Sequence, residues 1–132
     1  MRAARAYGNL DRQTSVMVSD PVGLVVLLYD KLLQRLSEAR AGFAAKNIPE
    51  RSNAISKAIE LIEVGLLSSL DDSRGGDVSS RLKAHYQVWM TKLFRANMQA
   101  SVALIDEVEA EVKTIKLAWD ELKLKDGGKR MP

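Results

Sequence analysis

The sequence predicts an all-α fold, an antiparallel four-helix bundle preceded by an N-terminal arm or short cap helix, and three observations carry that reading. Apolar residues recur at three- and four-residue steps through four successive segments, the spacing of one helix face. The prolines, Pro21, Pro49 and Pro132, stand at or near the edges of those segments, where a missing N–H costs little. No run of alternating apolar and polar residues competes for a strand, and no internal repeat or low-complexity tract is present. A chain of 132 residues with 46% apolar content is long enough to bury one core without staples. We expect a single domain over 1–132, divided into a mobile arm (1–18), the bundle (19–122) and a polar tail (123–132).

The first segment, residues 20–44, sets Val25, Leu28, Leu32, Leu36, Ala39 and Phe43 on one stripe and is entered through Pro21, with Ser19 or Asp20 as its cap. Its opening turns, Val22 to Tyr29, have almost no polar face. A helix apolar all round must be covered on more than one side. The second segment, 49–70, aligns Ile55, Ile59, Ile62, Leu66 and Leu70, with the small Ala54, Ala58 and Gly65 beside them and Asn47 as its cap. Residues 71–76, from Asp71 to the Gly75-Gly76 pair, interrupt the pattern and read as the main interior loop. The third segment, 77–97, aligns Val78, Leu82, His85 or Tyr86, Trp89, Leu93 and Ala96, broadened by Met90 and Phe94 and capped by Asp77. The fourth, 101–122, reads Val102, Ile105, Val108, Val112, Ile115, Trp119 and Leu122, the seam spacing of closely aligned helices. Short connectors make sequence neighbours antiparallel.

The formal net charge is +3, but its placement matters more than its sum. The third segment sets Arg81, Lys83, Lys92 and Arg95 against Asp77, whereas the fourth sets Asp106, Glu107, Glu109, Glu111, Asp120 and Glu121 against Lys113 and Lys116. Such helices complement one another across their exposed flanks, although single surface pairs contribute little. The remaining basic excess is spread over the arm and tail rather than gathered into a stripe, and Trp89 and Trp119 sit at core spacing rather than on a stacking platform. No nucleic-acid partner is expected.

Enzymatic readings fail for want of residues. There is no cysteine, hence no thiolate nucleophile or ligand. The single histidine, His85, is preceded three positions earlier by Leu82, so no Glu-x-x-His metal pair exists. Neither a G-x-S-x-G elbow nor a phosphate-loop signature occurs, and Asp71-Asp72 alone is no calcium loop. We expect no catalytic residues, no metal and no cofactor. No apolar run reaches the roughly 18 residues of a membrane span, and the residues after Arg2 and Arg5 lack the apolar stretch of a secretory signal.

What remains is surplus apolar surface at Val22 to Tyr29, together with Tyr7, Leu10, Val16 and Met17 of the arm. Either the arm folds back as a permanent lid, or lid and groove form a site for another protein's amphipathic helix. A self-associating adaptor bundle is the alternative from a different class.

Certain residues, in their order and spacing, resemble the bacterial flagellar secretion chaperone FliS family over about residues 6–122. They are Ala6-Tyr7, Pro21-x-x-Leu24, Leu27-Leu28-Tyr29-Asp30, Gly75-Gly76-Asp77, Tyr86, Ala96-Asn97 and Ala118-Trp119. The resemblance implies a cytoplasmic helical bundle that binds the C-terminal segment of flagellin, prevents its premature polymerisation and presents it to the flagellar type III export gate. It implies that the arm lies over apolar surface and moves aside for flagellin. Carried over residue by residue, it makes Tyr7, Leu24, Leu28, Tyr29, Asp30 and Asn97 expected partner-binding residues; Leu27 on the same apolar start of the helix and Leu10 of the arm complete the expected set, and Leu28 also lies on the core stripe. A weak homodimer is a further expected association. The chain departs from the family pattern at Lys31, where a small residue is usual, at Gly23 early in a helix, and in its basic balance.

Overall fold

The computed structural model describes residues 21–70 and 72–130, the side chains of 72–75 and 126–130 excepted. Among them are four α-helices: α1 (Pro21–Ala44), α2 (Ile48–Glu60), α3 (Asp72–Gln99) and α4 (Val102–Arg130). The expected all-α bundle is what forms. The arm over 1–18, with Tyr7 and Leu10, and the Ser19 and Asp20 caps lie outside the described residues.

Each helix packs on its neighbour in sequence, and α4 closes the ring onto α1. Directions follow from cross-helix pairs. Asp30 meets Lys116 and Arg40 meets Asp106, so α1 and α4 are antiparallel. His85 meets Glu111 and Lys92 meets Glu107, so α3 and α4 are antiparallel too. The core contains Leu28, Tyr29, Leu32, Leu36 and Ala39 of α1, Ala54, Ile55 and Ala58 of α2, and Tyr86, Trp89, Leu93 and Ala96 of α3. Ile105, Val108 and Val112 of α4 complete the ring. Among the described residues no helix is long and apolar enough to cross a membrane.

Local chemistry explains the turns. Asn47 caps α2, its Oδ1 accepting from the Glu50 backbone N–H at 3.1 Å, and Pro49 occupies the first turn. Helices α1 and α3 both end with a residue in the left-handed region, Lys46 (φ 55) and Ala100 (φ 51). Beyond each, a backbone N–H reaches back five residues, Asn47 to the Gly42 carbonyl and Ser101 to that of Ala96, both at 2.9 Å, the closing bond of a Schellman motif. Gly42 is needed where α1 meets α2, because a Cβ there would stand 2.7 Å from the Arg51 backbone nitrogen.

Four details differ from expectation. The second segment is not one α-helix: after Glu60 it widens into a π-helical stretch, Leu61–Leu67, in which Ile62 and Leu66, four residues apart, are both fully buried. A period nearer four residues keeps both on the core side, where an ideal α-helix drifts. The turn comes earlier than the expected loop, helix being present from Asp72, and the Gly75-Gly76 signal survives as a break at Gly76 (φ 52, ψ −124), a conformation suited to glycine. The polar tail is helical to Arg130, since Lys123, Leu124 and Lys125 are good helix formers. Finally, Val78, Val102 and Leu122, read as stripe residues, are exposed, as is Phe94, read as broadening the stripe. A seven-residue apolar repeat drifts by about 20° per heptad on a straight helix, so stripe ends rotate outward.

Candidate functional site

The start of α1 is as apolar as its sequence suggests, but its residues divide. Leu24, Val25 and Leu27 are half-buried, Leu24 and Val25 packing against the core from outside. Leu28 and Tyr29 are buried, so their side chains belong to the core rather than to an open surface. Asp30 is exposed and pairs with Lys116 at 3.2 Å. Lys116 is also held by Asp120 at 2.9 Å, and these carboxylates, Asp120 first, raise its pKa.

Beneath that surface lies an aromatic cluster. Tyr29 meets Tyr86, Trp89 and Trp119 with ring centroids 6.1–6.4 Å apart, and Tyr86 meets Trp89 at 5.3 Å. The Tyr29 and Tyr86 hydroxyls share a buried hydrogen bond of 2.8 Å. Burial pushes both phenols above the usual tyrosine range. For Tyr86 the neighbouring Tyr29 adds to the rise, whereas for Tyr29 the bond to Tyr86 and the nearby Trp119 draw it partly back. The Trp119 indole N–H is buried and finds no acceptor at hydrogen-bond geometry among the described residues.

Trp89 donates to Glu111 Oε1 at 3.3 Å, and His85 Nδ1 stands 3.3 Å from the same oxygen. Lys92 bridges Glu107 at 3.1 Å and Glu111 at 3.5 Å. Burial would raise the Glu111 pKa, but the contacts from Trp89, His85 and Lys92 together lower it. This is the α3–α4 charge complementation expected from the sequence. Among the described residues no group of three or more His, Cys, Asp or Glu is arranged to hold a metal ion.

Asn97 lies elsewhere. Its Oδ1 accepts from Arg51 Nε at 3.2 Å and Ser52 Oγ at 2.9 Å, and its carbonyl accepts from Arg51 Nη2 at 3.2 Å. The Arg51 guanidinium also covers the Phe43 ring at 4.9 Å. Asn97 thus fastens α3 to α2 at the end of the bundle opposite Leu24. The partner-binding set is not one constellation: Leu24, Leu27 and Asp30 share one end, Leu28 and Tyr29 lie in the core beneath it, and Asn97 stands apart.

One surface was missed by apolar spacing. Opposite the Trp89 and Leu93 side of α3, eight exposed residues face outward: Ser80, Ala84, Gln87, Val88, Thr91, Phe94, Arg95 and Met98. Arg95 is charged, exposed Asp77 and Arg81 extend the same rows towards the start of the helix, and Phe94 and Met98 are 59% and 71% exposed. Ile48, 60% exposed, stands at the same end of the bundle as Met98. The available signal was the apolar set Ala84, Val88 and Phe94-x-x-x-Met98 lying off the stripe.

Residues 3–126 match the family model described as Flagellar protein FliS. The chain is 34% identical over 120 residues to the flagellar secretion chaperone FliSB of Pseudomonas aeruginosa, covering 91% of this chain and 94% of that protein. It is 32% identical over 120 residues to the flagellar secretion chaperone FliS of Escherichia coli, covering 91% and 88%. For the namesake in Salmonella typhimurium the identity is 30% over 118 residues, covering 89% and 87%. A bundle of this build, matched along nearly its whole length, belongs to the FliS family of flagellar proteins.

Proposed function

We propose that this protein is a cytoplasmic export chaperone that holds the C-terminal segment of flagellin as helical pieces, prevents its premature polymerisation and presents it to the flagellar export apparatus. The observation that carries the reading is the outward face of α3, where Val88, Phe94 and Met98 are exposed without a covering helix. Capture of an amphipathic helix needs apolar surface and no catalytic group. A client that orders on binding spends part of the interaction energy on its own folding, which keeps affinity moderate and release feasible. Leu24 and Leu27, covered or uncovered by the arm with its Tyr7 and Leu10, form the second contact region, Leu28 and Tyr29 support it from below, and Asp30 orients its polar edge.

Calorimetric titration with a C-terminal flagellin peptide tests this. We expect heat of binding together with a gain of helical circular dichroism. Phe94→Glu should weaken binding by about tenfold or more, the cost of desolvating a charge in an apolar contact. Absence of heat with cognate flagellin would sink the reading. Deleting residues 1–18 should leave affinity unchanged or tighter if the arm is a competing cover, whereas complete loss would make the arm part of the site.

A further inference from the structure

The second half of α4 presents an apolar ridge that no other helix covers. Leu117 and Leu124, seven residues apart and so on one helix face, are 65% and 77% exposed. By helical geometry they lie opposite the core residues Val108 and Val112. Cationic side chains stand on both flanks: Lys113 and half-buried Lys123 on the side where Lys116 meets Asp30 of α1, and exposed Lys125 on the side of α3. Over residues 113–130 six Lys and Arg stand against three Asp and Glu, an excess equal to the formal net charge of the whole chain, +3. We propose that this ridge is a reversible contact site for the surface of an anionic lipid bilayer, with α4 lying in the headgroup plane and not crossing it.

Shape and charge select a bilayer over a protein partner. A peptide helix docks in a groove between elements, whereas Leu117 and Leu124 project from one convex helix, a form that sinks into a soft planar interface. Lysine stems beside such leucines lie along the interface while their ammonium groups reach the lipid phosphates. The acidic residues do not cancel this. Asp120 is held by Lys116 at 2.9 Å, which also meets Asp30 at 3.2 Å, and Lys113 stands 3.7 Å from Glu109. Glu121 stands on the ridge edge one turn from Lys125. Lys123 and Lys125 make no ion pair among the described residues, which leaves both ammonium groups for an external anion. Position favours the contact too. Asp30 is level with Lys116 and Arg40 with Asp106, which puts Pro21 level with Lys125, so the basic end of α4 runs past the start of α1. Two leucines and a few lysines make a weak anchor, and binding should be half complete only at about 1 mM lipid.

Co-sedimentation of the full chain with vesicles tests this, using phosphatidylcholine alone and phosphatidylcholine with about one third phosphatidylglycerol. We expect binding to the anionic vesicles to be about tenfold stronger than to the neutral ones, and to fall as salt rises to about 1 M, where charges are screened within a few ångströms. Replacing Lys123 and Lys125 together by Gln should weaken it by about tenfold or more, at about fivefold per lysine. Leu117→Glu should remove most of it, with helical circular dichroism unchanged. The chain has no cysteine, so Leu124→Cys carries a single environment-sensitive fluorophore, and Val88→Cys on the outward face of α3 is the control. On anionic vesicles the emission should shift to the blue at position 124 and stay in place at 88. A wild type that remains in the supernatant with both vesicles, whether its ridge is then bare or taken by a second copy or a protein helix, overturns the proposal. So do undiminished binding by the lysine double variant or by Leu117→Glu, and equal shifts at the two labelled positions. The proposal goes beyond the chaperone reading and does not rest on it, since no client peptide enters the test.

Discussion

At the residue scale, the buried hydroxyl pair of Tyr29 and Tyr86 is the sharpest polar feature of the core. Tyr86→Phe strands the Tyr29 hydroxyl and should cost about 1–3 kcal/mol, whereas replacing both by Phe removes donor and acceptor together and should cost less than the two single changes summed. Urea denaturation of the three variants checks this. Because burial raises both phenol pKa values in the folded state, their contribution is fully present below the ordinary tyrosine pKa of about 10 and is lost as pH climbs beyond it. The double variant should therefore flatten the alkaline limb of stability. That Tyr29 is a core residue was half legible: it neighbours Leu28 on the stripe, while the family likeness draws it toward the surface. Phe94 was misread for a related reason. Leu93-Phe94 are consecutive apolar residues, and spacing alone does not say which of two adjacent positions turns outward.

At the scale of elements, endings decide more than interiors. Gly42→Ala would push a Cβ into the Arg51 backbone, and overpacking of this kind costs about 1–3 kcal/mol. Ala100→Gly should act in the opposite sense, because Ala100 holds a left-handed φ of 51 that glycine adopts without strain, a gain of about 0.5–1 kcal/mol. Thermal midpoints of the two variants against wild type test both, and an Ala100→Gly that melts lower would refute the capping account. The Asn47 cap was readable because cap chemistry is local and Asn stands just before Pro49. The ends of α1 and α3 were less so, since neither Lys46 nor Ala100 is the glycine that usually marks such a turn. The π-helical stretch at Leu61–Leu67 was invisible for a different reason: three- and four-residue apolar steps satisfy a wider helix as well as an ordinary one.

At the scale of the whole molecule, charge ties the ring shut. Arg40 of α1 donates to Asp106 at 2.7 Å and to Glu109 at 2.9 Å on α4, and the hydrogen bond from Arg40 leads the causes that lower the Glu109 pKa. With Arg40 37% exposed, solvent screens the cluster, and Arg40→Gln should cost about 1 kcal/mol at neutral pH. The contribution of Glu109 is present above its ordinary pKa and lost as pH falls through the lowered folded value. The variant should thus lose less stability than wild type on acidification, as urea midpoints across an acidic pH series would show. Opposed charges on α3 and α4 were readable as sums over segments, but the Arg40 cluster joins residues 66 apart, and no local pattern announces it. That separation also bears on how the chain matures during synthesis. With α1 sealed by α4, α1 has no complete set of neighbours until α4 has left the ribosome, so the cooperative core closes only after the intervening helices have been made.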